Sequence, residues 1–283
     1  MKEKRIKVAL VQPKVCPDDN ENLDHVYSLV KKASQQKPDI ICLPERWFFI
    51  NPYEANVRAE IQDERGIQYQ NVKKWASEHQ IPIISGAIWE WRNGYDKPFV
   101  TSYFFYERGN EIGRQDKIQL YKGERKAFEP GKKLNIFSSH VDDENRSFDF
   151  FFAILICFDL HITNTLSHLS VKNGAEILFS PTLIISKGER SWETYVRSRA
   201  LENRVPILSV NSIMEYNDRK FRGKSKILSF PKGPISPVNL DYICLDDSPQ
   251  IFLKEIELEF PNYIRKKRMR QFVPVHNIEV VKF

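Results

Sequence analysis

The chain has 283 residues and a net charge of +6, and 41% of its residues are hydrophobic. This composition is ordinary for a globular protein, and the absence of any run of about 18 apolar residues argues against a membrane span. Four widely spaced cysteines without a CxxC pair argue against a zinc site and a disulfide framework. With neither a signal-peptide pattern nor a GxGxxG or P-loop motif, we expect a cytoplasmic protein that uses no cofactor.

Strand-like and helix-like segments alternate along the chain, as judged from the spacing of apolar residues. Asn20 is the predicted N-cap of the first helix, Thr163 caps a helix that ends near Gly174, and Ser191 caps one that ends near Arg204. A further helix is predicted around residues 67–79. The predicted strands are 6–12, 39–43, 81–88, 100–107, 111–115, 147–156, 176–180, 207–210 and the alternating segment 255–260.

This alternation predicts a single α/β domain in which helices cover sheets. We place the core of the domain at about residues 5–260 and a C-terminal extension at about residues 261–283. The sequence shows no repeats, no low-complexity tract and no linker.

A basic cluster lies in the C-terminal extension, and its members are Arg265, Lys266, Lys267, Arg268 and Arg270. Such a cluster is compatible with binding to nucleic acid or to a membrane surface. No stacking pattern of aromatic residues accompanies it, so we favour a solvated surface and expect neither nucleic acid nor a membrane as partner.

Three residues with reactive side chains each follow a predicted strand. Glu45 follows an apolar run, Lys117 follows the strand that ends near Gln115, and Cys157 follows a second long apolar run. Ligands bind beyond the carboxyl ends of strands in α/β sheets, so the three side chains could meet in one pocket. By spacing alone, an inert buried cysteine and two solvated charges remain the favoured interpretation.

The three side chains would suffice for cleavage of an amide bond. A thiol needs a base or a nearby cation to attack at neutral pH. The tetrahedral intermediate needs a fixed positive charge or donor, and the departing nitrogen needs a proton. A carboxylate serves as base and acid, and an ammonium group stabilises the oxyanion, without any metal.

A series of short motifs accompanies these residues in a fixed order. The motifs are Leu43-Pro44-Glu45, Asp116-Lys117-Ile118-Gln119-Leu120, Phe128-Glu129-Pro130-Gly131, Cys157-Phe158-Asp159, Arg199-Ala200-Leu201-Glu202-Asn203 and Phe221-Arg222-Gly223-Lys224-Ser225. In this order and spacing the sequence resembles the nitrilase superfamily of carbon–nitrogen hydrolases over residues 5–260. The resemblance implies a four-layer α-β-β-α sandwich that forms a homodimer or a higher homo-oligomer.

The resemblance also implies roles for the reactive residues. Cys157 is the expected nucleophile, Glu45 the general base and acid, and Lys117 the oxyanion stabiliser, with the backbone N–H of Phe158 as second donor. Glu124 is the expected second glutamate that orients the lysine, and Glu129 is its rival.

One departure from the family concerns the residue two positions after Asp159. The family often has arginine there, whereas this chain has His161, for which a packing role is favoured over a substrate contact. Asp159 itself is expected to fix the turn behind Cys157.

Several residues are expected to contact the substrate besides Phe158. The aromatic segment after Glu45 is a candidate pocket wall or, equally, core packing. The predicted substrate contacts are Trp47, Phe48, Tyr53, Pro181 and Thr182.

The predicted function is hydrolysis of an amide or carbamoyl-amide through a cysteine thioester, with release of ammonia or an amine from a small molecule. Acyl transfer to an amine acceptor is the alternative among enzymes, and a non-catalytic binding protein that retains the fold is the alternative outside them. A depressed pKa of Cys157 would favour the enzyme.

Overall fold

The computed structural model describes residues 4–48, 62–271 and residue 281. Its strands are β1 (Arg5–Gln12), β2 (Ile40–Cys42), β3 (Gln62–Asp63), β4 (Ile83–Ile84), β5 (Ile88–Trp91), β6 (Phe99–Phe105), β7 (Glu111–Asp116), β8 (Ile136–Asp142), β9 (Ser147–Ile154), β10 (Ile177–Thr182), β11 (Ile207–Asn211), β12 (Ile213–Tyr216), β13 (Arg219–Arg222), β14 (Lys226–Ser229), β15 (Asp241–Cys244) and β16 (Gln250–Glu257). Its α-helices are α1 (Asp19–Ser34), α2 (Ile67–His79), α3 (Glu124–Ala127), α4 (Phe158–His161), α5 (Thr165–Lys172), α6 (Glu189–Asn203) and α7 (Glu259–Met269).

The strands form two large sheets. The first has the order β16-β1-β2-β4-β6-β5-β3, with β7 also paired to β6, and the second has the order β15-β14-β11-β10-β9-β8. In each sheet three strands near the middle run parallel: β1, β2 and β4 in the first, and β9, β10 and β11 in the second. β12 and β13 form a separate hairpin.

Apolar side chains of the two sheets meet in a central core. Leu10 and Phe104 of the first sheet belong to the same cluster as Phe152, Phe179 and Val210 of the second. The opposite face of the first sheet packs against α1 and α2, and the opposite face of the second packs against α6. These layers form the α-β-β-α sandwich, so the predicted fold is confirmed.

Three helices begin at residues other than those that the sequence predicted, and only the first has an N-cap residue whose side chain caps it. The first helix is capped by Asp18, whose carboxylate accepts hydrogen bonds from the N–H groups of Asn20 and Glu21, so the prediction of Asn20 was wrong. Ser191 lies inside α6, because the helix already begins at Glu189. Asn164 precedes α5, although the hydroxyl of Thr163 does accept from its first N–H.

Two predicted strands are shorter in the structure, one because of a glycine and the other because of a helix cap. The segment 81–88 splits into β4 and β5 at Gly86, which has φ +72° and lies so close to Pro44 that a Cβ would collide with its carbonyl oxygen. The strand predicted for 255–260 stops at Glu257, whose carboxylate accepts from the N–H groups of Glu259 and Phe260 and starts α7.

The helix α7 contains most of the basic cluster and packs beside the end of α6. The guanidinium of Arg265 donates to the carbonyl of Arg204 at 2.9 Å, and that of Arg268 donates to the carbonyl of Leu201 at 2.9 Å. These carbonyls lie at the end of α6, where backbone acceptors lack helical partners. Two members of the basic cluster thus bind the end of α6. Residue 260, where we placed the end of the core, lies inside α7.

No helix in the described part of the chain is long and apolar enough to cross a membrane.

Candidate active site

Three loops bring the predicted catalytic residues to one place. Glu45 follows β2, Lys117 directly follows β7, and Cys157 follows β9. The backbone N–H of Lys117 donates to the carbonyl of Val100 at 2.8 Å, and that of Cys157 donates to the carbonyl of Pro181 at 3.0 Å. These bonds extend the sheet pairing beyond the strands and fix where the side chains begin.

The ammonium group of Lys117 bridges two carboxylates in the interior. Its Nζ lies 3.0 Å from Oε1 of Glu45 and 2.9 Å from Oε1 of Glu124, and all three side chains are buried. The carboxylate of Glu45 is also close enough to the Cys157 thiol for its charge to raise the pKa of that thiol. The thiol, the ammonium and both carboxylates therefore form one cluster, although they are distant in sequence.

The geometry favours Glu124 over Glu129 as the second glutamate. Besides contacting Lys117, Glu124 accepts a hydrogen bond at Oε2 from the N–H of Tyr121 at 2.7 Å, which orients its carboxylate. Glu129 lies instead in a short bridge with Phe99. This placement agrees with the sequence-based preference for Glu124.

Cys157 sits on a strained turn that Asp159 holds. Its backbone has φ 46° and ψ −99°, a region that residues other than glycine rarely adopt. The carboxylate of Asp159 accepts from the N–H groups of Ile118, Gln119 and Ile156, at 3.0, 2.6 and 3.0 Å. The expected role of Asp159 in fixing this turn is confirmed, and the same side chain ties the loop of Lys117 to it.

Burial determines the protonation of the cluster. It raises the pKa of the Cys157 thiol well above its ordinary value, and the negative charge of Glu45 adds to this effect while Lys117 opposes it. Burial also raises the pKa of Glu45, against the charge of Lys117. The thiol pKa is therefore raised, not depressed, so this sign, which would have favoured an enzyme, is absent. A thiol that keeps its proton needs an adjacent base in order to attack a substrate.

A cavity of about 550 Å³ opens beside Cys157. Its described lining residues are Lys117, Tyr121, Lys122, Gly123, Cys157, Phe158, His161, Leu183, Ile184, Ile185, Gly188, Ser191, Trp192, Arg219 and Phe221. The volume suits a small molecule. Residues 183–185 were not predicted to line the cavity, although an apolar run just after a strand end indicates a possible pocket wall.

The expected substrate contacts fall in different places. Phe158 lines the cavity, whereas Trp47 lies in the core under α1 and α2, where its indole N–H donates to the carbonyl of Ser85 at 2.8 Å. Phe48 packs between the central core and the core under α1 and α2. Tyr53 lies outside the described residues.

Pro181 and Thr182 lie in the buried strand β10 next to Cys157 and do not line the described cavity. Pro181 accepts the N–H of Cys157, and the hydroxyl of Thr182 lies 2.8 Å from Oδ1 of Asn211. Both residues are buried, and neither is among the described residues that line the cavity.

Among the described residues, no group of three or more histidine, cysteine, aspartate or glutamate side chains is arranged to hold a metal ion.

Comparison with known proteins decides the family. The sequence model of the carbon–nitrogen hydrolases matches residues 7–236, which is most of the chain. The chain belongs to the carbon–nitrogen hydrolase family. This hydrolase is 26% identical to omega-amidase NIT3 of Saccharomyces cerevisiae, over 82% of each chain. It is 28% identical to omega-amidase NIT2 of Xenopus tropicalis, over 73% of the hydrolase and 74% of that relative.

A solved structure shares the fold of the hydrolase. Nit3 of Saccharomyces cerevisiae, a member of branch 10 of the nitrilase superfamily, superposes with a TM-score of 0.76 at 23% identity, over 93% of the hydrolase and 94% of Nit3. This likeness shows that the two chains share a fold, and the match to the family model over residues 7–236 confirms the predicted carbon–nitrogen hydrolase.

Proposed function

We propose that the protein hydrolyses a small amide or carbamoyl-amide through a thioester on Cys157, with release of ammonia or an amine. The observation that carries this proposal is the buried Lys117 ammonium, shared at 3.0 and 2.9 Å by Glu45 and Glu124 beside the Cys157 thiol. Burial of three ionisable groups is costly and serves no packing purpose that apolar residues would not serve better.

The first step forms the thioester. Sγ of Cys157 attacks the amide carbon while its proton passes to the neighbouring carboxylate of Glu45. The oxygen of the amide becomes an oxyanion next to the Lys117 ammonium and the N–H of Phe158. Glu45 then donates its proton to the nitrogen, the carbon–nitrogen bond breaks, and the amine leaves.

The second step returns the enzyme to its starting state. Glu45, again ionised, accepts a proton from a water molecule that attacks the thioester carbon. The carbon–sulfur bond breaks, the acid is released, and the proton returns to Sγ. Glu124 keeps the Lys117 ammonium in place throughout, because its carboxylate is fixed by the N–H of Tyr121.

Omega-amidases among the relatives support amide rather than nitrile substrates. The test is a screen for ammonia release from small amides, ureas and nitriles, with Cys157→Ala as the blank. We expect amides to be hydrolysed and the variant to be inactive. Equal turnover of a confirmed amide by Cys157→Ala would contradict the mechanism, and formation of an amide from added amine would indicate acyl transfer.

A cytoplasmic location and assembly as a homodimer or higher homo-oligomer remain predictions that accompany this proposal. All four cysteines are free, which is compatible with a reducing compartment. Cell fractionation and sedimentation of the purified protein would test the two predictions separately.

A further inference from the structure

We propose that the cavity selects amides that carry a flat, apolar and uncharged group, and that His161 sets this preference. This inference rests on the proposed amide hydrolysis, because it names the substrate class of the same site.

Four aromatic side chains follow one another along the cavity: Tyr121, Phe158, His161 and Trp192. We call them the aromatic wall. The rings of Tyr121 and Phe158 meet edge to face at 5.1 Å, those of Phe158 and His161 stack at 5.0 Å, and those of His161 and Trp192 are nearly parallel at 6.5 Å. A flat apolar group can stack against such a surface, whereas a carboxylate gains nothing from it.

The imidazole of His161 is held in this wall as a neutral ring. It lies 4.1 Å from the ring of Tyr195, and Arg199 fixes its backbone by donating to the carbonyl oxygens of Leu160 and His161 at 3.3 and 3.4 Å. Burial lowers the pKa of His161, and the nearby charge of Arg199 lowers it further. The lowered pKa favours the uncharged ring at neutral pH.

Apart from Lys117 at the reacting end, whose ammonium is shared by Glu45 and Glu124, the rest of the described lining adds apolar surface and exposed charge. Leu183, Ile184 and Ile185 are half-buried in the lining. Lys122 and Arg219 are exposed, so water weakens their attraction for an anion. A substrate carboxylate placed against the aromatic wall would lose its hydration without a buried cation from these residues to replace it.

The test compares 3-phenylpropanamide with succinamate, two amides that have the same two-carbon spacer before the terminal group, by ammonia release from the 283-residue protein. We expect kcat/KM to be at least about tenfold higher for 3-phenylpropanamide. His161→Arg should lower this ratio by about tenfold, because the guanidinium binds the succinamate carboxylate and disturbs the stack. His161→Phe should keep the preference. His168→Arg, which adds the same charge at an exposed position of α5, should leave the ratio unchanged.

Faster hydrolysis of succinamate by the wild-type protein, or an unchanged ratio in His161→Arg, would overturn this inference and leave amide hydrolysis intact. If His161→Arg does not fold, the wild-type ratio and His161→Phe decide. Calorimetric binding of both amides to Cys157→Ala separates the two proposals. Tighter binding of 3-phenylpropanamide without turnover by the wild type would overturn the proposed function and support the aromatic wall, whereas binding without preference would overturn the inference.

Discussion

At the scale of single residues, the site places the thiol of Cys157 beside the carboxylate of Glu45 but does not favour ionisation of that thiol. Burial and the charge of Glu45 both raise the pKa of Cys157 and so favour its protonated thiol. In the proposed mechanism Glu45 is the base that this thiol needs, and the ammonium of Lys117 holds the Glu45 carboxylate at 3.0 Å. If Glu45 is the base, its replacement should lower turnover and, at the same time, make the thiol of Cys157 easier to ionise.

Glu45→Gln should lower kcat by at least about a hundredfold, because it removes the proton acceptor. The same change removes a negative charge beside Cys157 and leaves Lys117, so the pKa of the thiol should fall. Alkylation by iodoacetamide, followed against pH at Cys157 by mass spectrometry, should therefore show a midpoint at lower pH than in the wild type.

Cys157→Ala is the control for this measurement, since it reports alkylation of the other cysteines, of which Cys244 is exposed. A midpoint shifted to higher pH in Glu45→Gln would show that Glu45 stabilises the thiolate, contrary to the mechanism proposed above.

At the scale of elements, α6 and α7 are joined by guanidinium groups rather than by apolar contacts alone. Arg265 donates to the carbonyl of Arg204 just beyond α6, and its partial burial lowers its pKa to about 10, so it stays charged at neutral pH. Arg268 donates to Leu201 in the last turn. Positive charge at the carboxyl end of a helix also interacts favourably with the helix dipole.

Arg265→Ala should therefore lower the free energy of unfolding by about 1–3 kcal/mol, because a partly buried carbonyl loses its charged donor. Arg270→Ala removes an exposed charge from the same basic cluster and should change stability by less than about 0.5 kcal/mol. Urea unfolding of the two variants provides the measurement. Equal effects would indicate that the basic cluster acts only through its total charge.

At the scale of the whole molecule, stability depends on the core between the sheets. Phe152 of the second sheet contacts the rings of Phe137 and Phe179 in its own sheet, and the ring of Phe104 in the first sheet at 4.9 Å. The next side chain toward the N-terminus, Phe151, points to the other face and is 44% exposed. Adjacent phenylalanines on β9 thus have very different surroundings.

Phe152→Ala should lower the free energy of unfolding by about 3–5 kcal/mol, because the cavity left between the two sheets is filled only in part. Phe151→Ala should cost less than about 1 kcal/mol, because half of that ring is already in contact with water. Chemical denaturation of both variants tests this, and similar losses would mean that the contact between the sheets is not the principal core.

The sequence by itself determined the family, the fold class and most of the elements. The apolar spacing of strands such as β1 and β9 follows from burial of alternate or successive residues, so it is visible without coordinates. The order of the motifs around Glu45, Lys117 and Cys157 identified the superfamily and the layered fold. Capping was harder to predict, because Asp18 and Asn20 are both suitable N-cap residues and only the backbone geometry selects Asp18.

The tertiary structure alone decided which residues share a surface. It placed Trp47 in the core and His161 in the cavity, and it turned Arg265 toward the end of α6. Each of these outcomes depends on contacts between segments far apart in the chain. Local patterns record which side chains are apolar or charged, whereas the partner of each one is fixed only when the two sheets and their helices pack.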